Sequence, residues 1–387
     1  MSTRLSASST MRRLAPLTTL LFVVASCSVA DSGPSTTVAP STTSTESIAT
    51  TTLAPTTTVM SIEGLAGEPD LENLVREIYV DQEKTPDAAV ASIGSTDEST
   101  RVAVVEAGGD VTLAVADPTW RIVGGWWPSI GRDTELGQFP KIIAVIGSDA
   151  RPGHDPLGAQ GDSIHFIGLD GNGTASVLGL PRDSYVPGPT GANMKMTSVL
   201  LRHGPDGLME TISNVTELEF DGYVLTGFAG FTTLIDVLGG LDIDVPVAMS
   251  DKWSQAYLDA GRQVLSAADA LAFVRTRKTI SGGDFTRKFH GGLALIAAAR
   301  MVKGMGMSAV PGLMEASSDL YWTDLPAEDL LLVTAAIVKA DLTEVTNIVA
   351  PGSVDTTSGG ASIVRLRDSA YDLFADMADG HLEPPSE

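Results

Sequence analysis

The stretch Lys141-Ile142-Ile143-Ala144-Val145-Ile146-Gly147-Ser148-Asp149-Ala150-Arg151 decides the fold. Its five consecutive apolar residues, 142–146, show no alternation and read as a strand covered on both faces. The residues that follow place Asp149 and Arg151 where the ends of such strands present ligand sites in open α/β sheets. Further along, apolar runs at 164–169 and 174–180 flank Asp170-Gly171-Asn172-Gly173, a hairpin signal with glycines available for positive φ. Helical patterns follow at 193–201, 208–215, 228–238, 267–276 and 285–302, then at 327–338 and 368–376. Strand patterns lie between and after them, at 223–225, 243–247, 345–349 and 361–364. Strands mixed with helices over residues 136–380 predict an α/β class, as a three-layer α/β/α domain with a mixed central sheet.

Upstream, residues 61–135 read as a small α+β accessory domain. It has one helix at 71–80 and strands at 101–106, 111–115 and 120–123, ending in Gly124-Gly125-Trp126-Trp127. Residues 60–139 carry 5 basic and 15 acidic side chains and no recognisable chemistry, and the paired tryptophans read as packing residues.

The N-terminus carries a different message. Met11-Arg12-Arg13 precedes an apolar stretch, 14–24, too short for a span that needs about 20 residues, so it reads as a secretory signal. Val24-Ala25-Ser26-Cys27 resembles a bacterial lipobox, which makes Cys27 the expected lipidation site and 1–27 the signal. Residues 28–60 read as a disordered tether, because 19 of the 29 residues in 31–59 are Ser, Thr or Pro and little can be buried. The expected location is extracytoplasmic, lipid-anchored to the outer face of the cytoplasmic membrane.

Composition removes several classes. With 25 Lys+Arg against 48 Asp+Glu, the 387-residue chain has a formal net charge of −23, which argues against nucleic-acid binding. A single cysteine excludes an intramolecular disulfide and any CxxC site, and the five histidines have no HExxH spacing. No GxSxG elbow, P-loop or GxGxxG after a strand is present.

What remains is a set of charges at strand and helix ends. Gly161-Asp162-Ser163 begins one strand and Pro181-Arg182-Asp183 ends the next. The stretch 271–303 holds Arg275, Arg277, Lys278, Arg287, Lys288, Arg300 and Lys303 against Asp284 alone, a local balance of +6 in a strongly acidic chain. Ser266 suits the cap of the helix carrying Arg275, and Gly282-Gly283 with Asp284 as N-cap suits the start of the helix carrying Arg287. Arginines at a helix N-terminus form a phosphate-binding arrangement. Asp149 and Asp162 could hold Mg²⁺, which takes one or two carboxylates plus phosphate oxygens. One of them, or Asp284, could instead accept a proton from an attacking hydroxyl.

At these residues the sequence resembles the LytR–CpsA–Psr (LCP) family of cell-wall glycopolymer ligases. The resemblance runs over about 140–380, through the segments just quoted and through Leu238-Gly239-Gly240-Leu241-Asp242-Ile243-Asp244-Val245-Pro246 and Ala270-Leu271-Ala272-Phe273-Val274-Arg275-Thr276-Arg277. It implies a phosphotransferase moving a glycopolymer, such as teichoic acid, from a polyprenyl-pyrophosphate carrier to peptidoglycan, with Mg²⁺ or Mn²⁺ as cofactor. The implied metal ligands are Asp149 and Asp162. The implied pyrophosphate ligands are Arg182, Arg275, Arg277 and Arg287, with Asp284 as the motif aspartate; apart from the resemblance, Arg151, Lys288 or His290 are candidates to compensate for phosphate ligands that this chain lacks. The implied partners are the polyprenyl-linked glycan, peptidoglycan and the membrane through the lipid anchor. Three features depart from the family pattern: Gln160 and His290-Gly291 stand where phosphate-binding Arg and an Arg-Gln pair are usual, and a lipid replaces the usual transmembrane helix. These departures leave two rival readings open, a polyprenyl-pyrophosphate phosphatase and a non-catalytic polyprenyl-phosphate binder. The family's older label of transcriptional attenuator is a third reading, disfavoured by the acidic, exported character of the chain.

Overall fold

The structure, a computed structural model, describes residues 60–82 and 84–384. The expected signal, Cys27 and nearly all of the tether lie outside the described residues.

The strand Lys141–Ser148 sits inside a six-stranded sheet. It pairs antiparallel with Gly161–Leu169 and parallel with Gly222–Thr226. Gly161–Leu169 pairs antiparallel with Ala175–Gly179 across the expected turn, where Asp170 accepts the Asn172 and Thr174 amides and Gly171 and Gly173 take positive φ. Short strands complete the edges, Trp322–Thr323 antiparallel to Gly222–Thr226 and Thr346–Val349 parallel to Ala175–Gly179. The sheet is mixed, as expected.

Successive side chains on a strand point to opposite faces. Ile142, Ala144 and Ile146 accordingly face one layer, where they meet Val199, Leu200, Leu208 and Ile212 of the helix Met196–Thr216 and Phe374 of the helix Asp368–Asp376. Ile143 faces the other, with Leu331, Leu332 and Ala335 of the helix Ala327–Lys339 and Val310 and Met314 of the helix Val310–Ser317. Helices therefore cover both faces, which explains the uninterrupted apolar run. Each fully buried Ile or Phe contributes about 1.5–3 kcal/mol of transfer free energy.

The upstream residues form a second six-stranded sheet in simple sequence order, from Ser61–Glu63 to Arg132–Glu135. The helix Pro69–Ile78 covers one face with Leu71 and Val75 against Ala103, Val105 and Ala114. The alternate residues Val102, Val104 and Leu113 join the core that also contains Ile143 and Leu332. At Gly94 a Cβ would stand 2.2 Å from the Pro311 carbonyl oxygen, so this sheet meets the helix Val310–Ser317 backbone to backbone.

The two helices expected at 193–201 and 208–215 are both present within Met196–Thr216, where they meet at the non-helical Gly204 (φ 70°) just before Pro205. Pro205 restarts the helix where its missing N–H costs nothing. Asn193–Lys195 are not helical but pair with Tyr185–Pro187 as a small hairpin. Among the described residues no single helix is long and apolar enough to cross a membrane.

Candidate functional site

One cavity of about 730 Å³ opens on the second face, beside the end of Lys141–Ser148. Its interior is apolar because three helices turn matching stripes toward it. Phe228–Val237 and its C-cap contribute Phe231, Leu234, Ile235 and Leu238, spaced i, i+3, i+4, i+7. Ala267–Arg275 contributes Leu271 and Val274. Asp284–Met305 contributes Gly291, Ala294, Leu295, Ala298 and Val302, whose small members leave the space open. Its mouth is cationic: seven Lys or Arg side chains line the cavity against three aspartates, a positive site on an acidic protein. Asp149, Asp162, Arg151, Arg182, Arg275, Arg277, Arg287 and Lys288 all belong to this lining.

Asp162 is the hub. Arg182 forms an ion pair with its carboxylate, Thr197 donates to Oδ1 at 3.2 Å, and Arg287 Nη1 lies 3.9 Å from Oδ2. Its backbone carbonyl accepts from Arg287 Nη2 at 3.2 Å and from Lys288 Nζ at 3.3 Å. Asp149 lies across the strand pair, its Oδ1 accepting the Gln160 amide at 2.9 Å, and among the described residues no cation sits within ion-pair distance of it. Gln160 thus contributes its backbone to the site.

Asp284 does not cap its helix. The N-cap is Gly283, at φ 56°, and Asp284 is the first helical residue without a side-chain capping bond. Its carboxylate is drawn instead into the arginine cluster. Oδ1 lies 2.9 Å from Arg287 Nη2 and 3.8 Å from both Arg182 Nε and Arg277 Nη1. None of these contacts is aligned as a hydrogen bond, so Oδ1 and Arg182 Nε are buried polar atoms held by charge alone. Asp284 is outside the cavity lining and stands behind the guanidiniums. Ser266 does cap its helix, accepting the Asp269 amide at 3.2 Å.

Burial sets the charge states. Desolvation opposes the Arg182 charge, but Asp162 and Asp284 outweigh it and hold its pKa above the ordinary arginine value. At Arg287 desolvation prevails and lowers the pKa, with Asp284 offsetting part of the effect. Burial and the adjacent Arg287 pull Lys288 down to about 7. Gly179 makes room for this lysine, since a Cβ there would come within 2.6 Å of Lys288 Cγ. By contrast Arg275 and Arg277 are exposed, with the Arg275 guanidinium 4.9 Å above the Phe228 ring.

The positive stretch 271–303 divides in space. Arg300 and Lys303 bind the carbonyls of Leu342, Thr343 and Ala340 at the far end of the helix and take no part in the site.

His165, Ser163 and Thr197 are site residues that charge patterning missed. His165 Nε2 meets the Lys288 carbonyl at 2.9 Å, so Nε2 carries the proton and Nδ1 accepts from Ser163 Oγ at 3.2 Å. Burial, with Lys288 nearby, lowers its pKa to about 3. The i, i+2 spacing of Ser163 and His165 on one strand was the available signal. Gly291 and His290 also gain a reason. A Cβ at Gly291 would stand 2.6 Å from His165 Cε1, and His290 stacks on Phe273 at 4.7 Å between centroids, its pKa lowered by burial to about 4.

Comparison with known proteins places these features in context. The LytR_cpsA_psr family model matches residues 131–377. A polyisoprenyl-teichoic acid--peptidoglycan teichoic acid transferase, TagV of Bacillus subtilis (strain 168), is 34% identical over 137 residues, 33% of this chain and 35% of that protein. The cell wall biosynthesis protein LcpA of Corynebacterium glutamicum is 25% identical over 258 residues, 58% of this chain and 50% of that protein. The matches thus span half or less of these curated relatives. The crystal structure of B. subtilis TagV superposes with a TM-score of 0.55 at 23% identity, covering 64% of this chain and 98% of that one.

Proposed function

The chain belongs to the LytR-CpsA-Psr family, and from that premise we propose that it is an extracytoplasmic phosphotransferase that joins a glycopolymer to peptidoglycan. The donor is a glycan on a polyprenyl pyrophosphate. The observation that carries this reading is a cavity that combines an apolar interior with an arginine-rich mouth, which matches a molecule that is lipid at one end and pyrophosphate at the other.

The isoprenoid tail lies in the apolar interior, and its burial supplies binding free energy at about 25 cal/mol per Å². Arg182, Arg275, Arg277 and Arg287 hold the pyrophosphate, for which planar guanidiniums give paired hydrogen bonds. A hydroxyl of peptidoglycan attacks the phosphorus that carries the glycan. The new P–O bond forms as the bond to the lipid phosphate breaks, and polyprenyl monophosphate leaves. The attacking proton passes to whichever of the cavity-lining Asp149 and Asp162 is not holding a metal ion. Arginines already in place stabilise charge on the leaving phosphate without reorganisation. Asp284 fixes three of those arginines from behind.

Mg²⁺, or Mn²⁺ as the other hard cation, suits the donor set of this cavity: Asp149 and Asp162 offer hard oxygen ligands and the pyrophosphate offers more. Asp149 and Asp162 are the residues available to hold it; among the described residues no group of three or more His, Cys, Asp or Glu side chains is placed to hold a metal ion. When bound it supplies Lewis-acid neutralisation of the phosphates. Lipidation of Cys27 would hold the chain at the outer face of the cytoplasmic membrane, and labelling with a radioactive lipid precursor tests it: an unlabelled, freely secreted product refutes the anchor.

A second reading, hydrolysis of the pyrophosphate or simple binding, is favoured by one observation. His290 is buried on Phe273 with a depressed pKa and brings no charge to the phosphates. The test is incubation of the purified chain with a polyprenyl-pyrophosphate-linked glycan, peptidoglycan and Mg²⁺. Polymer on the wall supports transfer, and phosphate released without transfer supports hydrolysis.

A further inference from the structure

The hairpin Met249–Asp251 and Ala256–Leu258 carries an exposed tryptophan to the rim of the cavity. Trp253 is 61% exposed and Tyr257, on the same hairpin, 63% exposed. Two lysines accompany the indole, Lys278 with Nζ 3.9 Å from the ring centroid and Lys252 at 5.0 Å. The loop is fastened in place. The buried Asp251 carboxylate accepts the Trp253 amide at 2.8 Å, which turns the loop's one acid inward. Ser254 donates to the Thr276 hydroxyl at 2.8 Å, and Thr276 in turn donates to the Ala272 carbonyl. The tryptophan is therefore tied to the segment that presents Arg275 and Arg277.

Trp253 and Tyr257 are thus two exposed aromatics on one hairpin at the cavity rim, with two ammonium groups at the indole. We propose that Trp253, Lys252 and Lys278 form a membrane-docking lip that sets the cavity mouth against a bilayer containing anionic phospholipid. Indole and lysine together suit the headgroup region, where the ring meets the acyl boundary and the ammonium meets lipid phosphate. The position explains how an apolar tail could pass from bilayer to cavity without crossing water. A sugar platform fits less well, because Lys278 already lies over the indole ring.

This proposal rests on the reading of the cavity as a tail pocket, but its test needs no transfer activity, so the two fail separately. The full chain is reconstituted in vesicles of phosphatidylcholine and phosphatidylglycerol whose acyl chains carry bromine, and tryptophan fluorescence is recorded. We expect bromine quenching in the parent that is absent in Trp253→Phe. Each of Lys252→Ala and Lys278→Ala should shift the docked-to-undocked ratio about fivefold. Equal quenching in the parent and Trp253→Phe overturns the lip, as does quenching indifferent to both lysine substitutions. A Trp253 emission change with a tail-less glycan pyrophosphate and none with vesicles also overturns it, in favour of a glycan platform.

Discussion

Arg287 donates to the backbone carbonyl of Asp162 at 3.2 Å, joining the first turn of one helix to the start of a strand 125 residues earlier. The same guanidinium lies 2.9 Å from Asp284 and is almost wholly buried. Site and fold thus share a residue. Arg287→Ala leaves Asp162 and Asp284 short of a buried cation, and we expect a loss of about 3–5 kcal/mol in denaturant unfolding. Activity of the surviving folded fraction should fall as well.

Arg275 makes the opposite case. Exposed and, among the described residues, held against the Phe228 ring alone, it can be removed with little effect on the fold. Arg275→Ala should change unfolding free energy by less than about 0.5 kcal/mol while lowering single-turnover transfer about 100-fold. A matched loss of stability and rate would deny it a phosphate contact.

Gly291 tests whether the His165 arrangement is specific. The Cβ of any replacement meets the imidazole at 2.6 Å, so Gly291→Ala should cost about 1–3 kcal/mol. The double variant with His165→Ser should recover much of that loss, which a double-mutant cycle in urea would measure.

Much of this was readable before the fold was known. The apolar run at 142–146 located the central strand, and Asp149, Asp162 and Arg182 fell at strand ends that the sheet brings to one cavity. Other features depended on tertiary structure. The strand Ala88–Ser95 is built of small residues and lacks an alternating signal. Asp284 in the Gly282-Gly283-Asp284 sequence resembles a cap, and only the arginines packed around it draw its carboxylate away. The sequence offers Lys288 as a phosphate contact but not its burial, which depends on the room that Gly179 leaves. Arg300 and Lys303 counted toward the positive stretch, but helix length carries them away from the site.

Stability should fall in mild acid. His165 and His290 are neutral in the folded protein, with pKa values lowered to about 3 and about 4. The unfolded chain protonates both near 6.5, so between that pH and the folded values it binds more protons. Stability is therefore full above pH 6.5 and is lost progressively as the pH drops through about 4 for His290 and about 3 for His165. Urea unfolding across this range should show the slope, and His290→Gln should reduce it.

The apolar interior can be filled from one wall. Ala298→Phe projects into the cavity from the helix Asp284–Met305 and removes space for tail carbons. With a long-chain donor KM should rise about tenfold or more, and with a short-chain donor it should stay near the parent value. Equal effects on both would place the tail elsewhere.

Transfer of a glycan from a polyprenyl pyrophosphate to the wall is the activity proposed for this cavity. The most direct measurement is wall-linked polymer formed by the purified chain with donor, peptidoglycan and Mg²⁺, alongside Asp149→Ala and Arg275→Ala. Polymer is expected with the parent, and severe loss with both variants. No linked polymer, or variants that match the parent, would contradict that activity.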